Sequence, residues 1–221
     1  MVVISFVLIL TAISFTGYDN KKVETTTELP VEEVQEEVEA KQEKTMKELL
    51  QESGGIDSEG FAAWVEESIK ILEGEWNDPR LEEANFDEGF EYYLKSEKIR
   101  ELQSEMIGRT VAFETESEFE KKLDQDLQNF FLLGSILNHV QFSRTSHLGE
   151  NGEAKEATEL ADQWRATPEE MRQANEYMKQ WFHDMDVAIN HNGEGETYGV
   201  TNILDGENER DLRINEYWNG G

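Results

Sequence analysis

The chain of 221 residues carries 49 Asp and Glu against 20 Lys and Arg, a formal charge of -29. That field repels the phosphate backbone of nucleic acids and anionic lipid headgroups, and it favours cations or a basic protein partner. No cysteine is present, which excludes disulfides, thiolate metal sites and cysteine nucleophiles, while 37% hydrophobic residues with five Trp and eleven Phe can fill the core of one domain with additions.

No charged residue occurs from Met1 to Thr16, and the run VVISFVLILTAISF is long and apolar enough for a secretory signal core or a membrane anchor. Residues 1–17 are therefore expected to be a signal peptide or anchor, although no Lys or Arg precedes the run and no small-x-small cleavage site follows it. The alternative is a buried N-terminal strand or helix. The boundary Phe15-Thr16-Gly17-Tyr18 resembles the lipobox of Gram-positive lipoproteins, in which a cysteine follows a small residue and opens a polar tether. Tyr18 stands in the place of that cysteine and has no thiol to lipidate, so the resemblance implies export but not lipidation. Residues 18–30, rich in Thr and Glu, predict a polar tether. Residues 31–53 predict a long acidic helix that docks only near its C-terminal end, through Met46, Leu49 and Leu50, before Gly54-Gly55 stops it.

From 56 to 192 the pattern predicts an all-α bundle of about five or six helices. Phe61, Val65, Ser68 or Ile69, Leu72 and Trp76 mark one amphipathic helix, capped by Asp57 or Ser58 and stopped by Asn77-Asp78-Pro79. Asn85-Phe86-Asp87-Glu88 is a capping-box pattern opening a stripe of Phe86, Phe90, Tyr93 and Leu94. Ile99, Leu102 and Met106 continue it at a shifted phase, which calls for a bend at Lys95 to Lys98 or a helix packed on two faces, ending at Gly108. Thr115-Glu116-Ser117-Glu118 reads as the capping box of the central helix, with Phe119, Leu123, Leu127 and Phe130 as its stripe. Between Phe130 and Leu137 only Gly134 and Ser135 are not bulky and apolar, so this part is expected to have neighbours on every side, with His139 in the buried half. After a loop at His147 to Glu153, Ala154, Ala157, Ala161 and Trp164 form a narrow stripe for close helix packing. Thr167-Pro168-Glu169-Glu170 predicts a helix start with threonine as cap, followed by the seam Met171, Ala174, Met178, Trp181, Met185 and Ala188. Residues 193–221 read as an irregular tail in which Val200, Ile203 and Leu204 tuck back onto the bundle, and Leu212 to Trp218 fit either a turn of helix or a strand.

Chemistry is sparsely signalled. His183-Asp184-Met185-Asp186 with His191 is the only local cluster of ligand types, but with Trp181 and Met185 facing the core, His183 falls near the opposite side. Asn190 to Gly195 resembles the start of an EF-hand loop, yet Thr201 holds the twelfth position where a bidentate glutamate belongs. No phosphate loop, HExxH or GxSxG is present, and no catalytic, cofactor-binding or metal-binding residue is assigned.

The stretch Glu75-Trp76-Asn77-Asp78-Pro79-Arg80-Leu81 resembles the motif of the NDxxF motif lipoproteins of bacilli, with Leu81 at the phenylalanine place. The resemblance implies an envelope location and brings no assigned activity. Read from the residues alone, Asn77 and Asp78 are a helix stop and an N-cap before Pro79, with Leu81 as apolar anchor. The expected function is a non-enzymatic binding or interaction module on the outer face of the cytoplasmic membrane of a Gram-positive cell, or secreted. The alternatives are an acidic inhibitor or immunity-type protein for a basic partner, and a metal-dependent hydrolase using His183 or His191.

Overall fold

The computed structural model of the protein describes residues 44–53, 56–106, 117–149 and 152–204. These form an all-α bundle. Six α-helices appear in the order α1 (Met46–Glu52), α2 (Ser58–Glu73), α3 (Pro79–Glu83), α4 (Glu88–Met106), α5 (Glu118–Thr145) and α6 (Glu169–Asn190). Three 3₁₀ segments follow α5 or α6: Glu153–Glu156, Thr158–Gln163 and Asn202–Leu204. Among the described residues no helix is long and apolar enough to cross a membrane. The expectations for residues 1–17 and 18–30, including Tyr18, for stops at Gly54-Gly55 and Gly108, and for Leu212 to Trp218 lie outside the described residues.

The four long helices share one core, with α5 packed against α4, α6 and two of the 3₁₀ segments. Its centre is Trp64 of α2, which the stripe read from the sequence omitted. Trp64 is fully buried and meets Phe61, Phe130 and Phe182 edge-on at ring separations of 5.4, 5.2 and 5.1 Å. Its indole N–H donates to the Ile99 carbonyl of α4 at 3.1 Å, so the polar edge of the ring is satisfied inside the core. The α6 seam is buried along its whole length, from Met171 to Ala188.

Several local expectations change. Thr45 is extended and forms a capping box with Glu48, so α1 begins at Met46, and residues 31–43 of the expected acidic helix lie outside the described residues; docking near the C-terminal end does occur, through Leu50. α2 ends at Glu73 with Gly74 as C-cap, leaving Trp76 beyond it. Lys95 of α4, buried, donates to the Leu72 and Gly74 carbonyls at 3.2 Å and so closes that helix end with a cation. α4 itself is unbroken, and it packs against α2 on one side and α5 on the other, which accounts for the phase shift in its stripe.

Phe86 does not join that stripe. It is 73% exposed and, like Asn85, has a left-handed backbone (φ 55° and 52°), while Asp87 Oδ1 takes the capping role by accepting from Phe90 N at 2.8 Å. The capping box of α5 is Ser117 with Glu120, two residues later than expected; Thr115 lies outside the described residues. The apolar run in α5 is not covered all round, since Phe131 is 42% exposed and Ser135 and His139 also face solvent. The alanine stripe from Ala154 to Ala161 forms two 3₁₀ segments, not an α-helix. α6 starts at Glu169, one residue later than predicted, with Pro168 at the N-cap and no side-chain cap: Thr167 Oγ1 accepts instead from Gly89 N of α4 at 3.0 Å.

Candidate functional site

The NDxxF-like segment has a structural duty and a place on the surface. Asp78 caps α3, accepting from Arg80 N at 2.9 Å, with Pro79 at the first turn; Leu81 is buried and Asn77 exposed. The Asp78 carboxylate also takes two bonds from the Arg80 guanidinium, at 3.0 and 2.7 Å, which hold it below the ordinary carboxylate range. Arg80 is held above its usual value by the same pairing and reaches Glu156 at 3.4 Å. A recess of about 540 Å³ opens here, lined by Trp76, Asp78, Arg80, Tyr93, Glu101 and Glu156 among others. Burial raises the Tyr93 phenol well above its ordinary value, and its hydrogen bond to Glu156 (2.5 Å) adds to the shift. The indole nitrogen of Trp76 is buried without a hydrogen-bond partner, a donor that an acceptor on a ligand would satisfy.

Two further recesses continue along the same face. One of about 480 Å³ shares Glu97 and Glu101 with the first and includes Arg100, Phe131 and Ser135. The next, about 500 Å³, shares Arg100 and Ser135 with the second and adds Asn138, His139, Phe142 and Lys155. The result is a groove beside α4, bordered by α5 and the 3₁₀ segment at 153–156, with the exposed rings of Phe131 and Phe142 on its α5 side. Sequence periodicity does not reveal this face, because its residues come from four separate elements: α3, α4, α5 and the 3₁₀ segment at 153–156. Phe131 was hidden within the apolar run from Phe130 to Leu137 that otherwise serves the core. The available signal was helical phase: with Leu127, Phe130 and Leu137 buried, Phe131 and Ser135 fall on the flank of the helix.

The histidine cluster does not converge. His183 Nδ1 stands 3.6 Å from Asp184 Oδ1, and His191 Nε2 stands 3.2 Å from Asp186 Oδ2, as two separate neighbours on α6. Among the described residues no group of three His, Asp or Glu side chains gathers where an ion could be held. The EF-hand-like loop does other work: Asn192 Oδ1 accepts from Met46 N at 3.0 Å, joining the start of α1 to the end of α6.

Asp184 and Asp126, both fully buried, instead hold the tail. Asp184 accepts from Tyr198 N (2.7 Å) and Val200 N (2.8 Å), and Asp126 of α5 from Asn202 N (2.7 Å), Asn202 Nδ2 (2.8 Å) and Ile203 N (3.0 Å). The tuck of Val200 and Ile203 onto the bundle thus rests on carboxylates as well as on apolar contact. No protein-family model, curated protein or solved structure matches the chain.

Proposed function

We propose that the protein is a non-enzymatic binding module of a Gram-positive envelope, similar in kind to the NDxxF motif lipoproteins, and that the groove beside α4 is its binding face. The observation that carries this reading is the pairing of charge along the groove. Asp78 binds Arg80, Glu101 binds Lys98 at 2.8 Å, Glu97 binds Arg100 at 3.0 Å and Glu156 accepts from Tyr93. Where these pairings displace a pKa, they move it away from neutrality: Asp78 down, and Arg80, Lys98 and Tyr93 up. A general acid or base is tuned in the opposite direction, toward the working pH. Fixed charges and exposed rings on a rigid helix pair suit recognition.

The envelope placement is supported by the uncharged apolar start at residues 1–17 and the polar tether after it. Fractionating a Gram-positive host that expresses the full chain tests it, with externally added protease applied to protoplasts. The protein is expected in the membrane or medium fraction and open to the protease; an unprocessed product confined to the cytosol refutes the placement. Converting the lipobox-like position with Tyr18→Cys should then permit incorporation of labelled lipid.

A further inference from the structure

The third recess differs in charge from the rest of the molecule. In a chain with 49 carboxylates against 20 basic residues, the side chains lining it are Arg100, Ser135, Asn138, His139, Phe142 and Lys155, with the backbone of Gly152 closing one end, and no carboxylate among them. Both permanent cations retain the means to bind an anion. Arg100 Nη1 donates to Glu97, and a guanidinium has five N–H groups to give. Lys155 Nζ makes a long 3.5 Å bond to Asn138 Oδ1 and lies 4.8 Å from the centre of the Tyr93 ring, contacts that leave an ammonium with three donors able to take an anion. Asn138 Nδ2 in turn donates to Glu97 at 3.3 Å, so Asn138 bridges the acid outside the recess and the base inside it.

One wall is apolar. The Phe142 ring is exposed and packs against Gly152, whose lack of a side chain lets it approach closely: a Cβ at that position would sit 2.9 Å from the ring. The ring is therefore held in place beside His139, at a centroid separation of 6.4 Å.

We infer that this recess binds a small organic oxyanion, with its carboxylate between Arg100 and Lys155 and its apolar body against Phe142. The inference rests on the reading of the α4 groove as a binding face and names the ligand chemistry of one end of it. The overall charge opposes any anion, but at about physiological salt screening confines that repulsion to roughly 8 Å, which leaves the two cations at the recess set against Glu97, the carboxylate bonded to Arg100 and Asn138 of its lining. Charge-assisted bonds from both should favour a carboxylate over its neutral amide by about tenfold or more.

The test is a titration of the purified full chain with benzoate and, separately, with neutral benzamide at about 0.15 M salt, followed by NMR shifts of the backbone amides at Ser135, Asn138 and Phe142. Benzoate is expected to bind at least about tenfold tighter than benzamide, and the R100Q/K155Q double variant to lose that preference. Glu97→Gln frees Arg100 of its acidic neighbour and is expected to act in the opposite direction, tightening benzoate several-fold. All three altered positions are partly exposed, and unchanged circular dichroism controls for folding. Equal binding of the two probes, a preference that survives the double variant, or no binding of either overturns the inference. Equal binding would still leave the groove a binding face, and none of these outcomes bears on the cell fractionation that tests envelope placement.

Discussion

Arg144, near the end of α5, joins three parts of the chain. Its guanidinium donates to both oxygens of Asp87 at 2.9 and 2.7 Å, to Gln141 Oε1 at 2.8 Å and, through Nε, to the Arg165 carbonyl at 2.8 Å. The side chain is only 3% exposed, so removing one partner leaves the other charge poorly solvated. Arg144→Met is expected to cost about 3–5 kcal/mol in urea denaturation, and Arg144→Lys to rescue little, because a single ammonium cannot reproduce the bidentate fork. Gly89 belongs to the same junction, since an added Cβ there would strike the guanidinium and Thr167 Oγ1. Phe86, a few residues away, shows the opposite balance. A bulky side chain with positive φ costs about 1–3 kcal/mol, and at 73% exposure its ring recovers little of that by packing. Phe86→Gly should therefore stabilise the protein by about 1 kcal/mol even after the entropy cost of glycine, as the same denaturation experiment would show.

At the scale of elements, the long helices were legible and the short connections were not. The α6 seam could be read because six buried residues keep one phase from Met171 to Ala188. Ala154, Ala157 and Ala161 fit a helical spacing equally well, but small side chains carry too little apolar area to impose an α-helix, and 3₁₀ turns satisfied the segment. Thr167 carried a valid capping signal that tertiary structure redirected to Gly89 on another helix. The groove was legible only in part: helical phase places Phe131 and Ser135 on a flank of α5, but spacing does not report which exposed residues from separate elements meet. The cap of α3 can be tested by pH. Hydrogen bonds from Arg80 hold the Asp78 carboxyl below its ordinary value in the folded state, so the unfolded chain takes up the proton more readily. The stability contributed is therefore complete above the unfolded pKa near 4 and is lost as pH falls through the folded value. Asp78→Ala should cost about 1 kcal/mol at pH 7, with the difference from the natural chain closing as the pH falls below about 4, whereas Asp78→Asn keeps a cap and should cost less. The tail is a second testable element, held by Asp184 at Tyr198 and Val200 and by Asp126 at Asn202 and Ile203. Asp126→Ala strands three donors at Asn202 and Ile203, and hydrogen exchange at those amides is expected to accelerate by at least about tenfold while the α6 core stays protected.

For the whole molecule, two effects of salt compete. The exposed ion pairs, such as Lys70 with Glu66 at 2.8 Å and Lys98 with Glu101 at 2.8 Å, are weakened by added salt, but each contributes little. Repulsion among unpaired carboxylates is relieved by salt, and even if every Lys and Arg found a partner an excess of 29 would remain. Repulsion should therefore dominate, and the thermal midpoint of the full chain is expected to rise between about 0.01 and 0.1 M NaCl, as the screening length falls from about 30 to about 10 Å. A flat or falling midpoint in calorimetry would mean that the acidic residues are arranged more favourably than their number implies. The same field has the opposite consequence for association. A basic partner of the inhibitor or immunity type would be drawn in faster at low ionic strength, so its on-rate should fall over the range in which the fold gains stability. Measuring both on one preparation separates the two roles of the charge. A partner captured from the native organism whose on-rate is insensitive to salt would rule out electrostatic steering, leaving the carboxylate excess to solubility alone, while a steep fall with a single stoichiometric partner would assign the acidic surface a recognition role distinct from the groove beside α4.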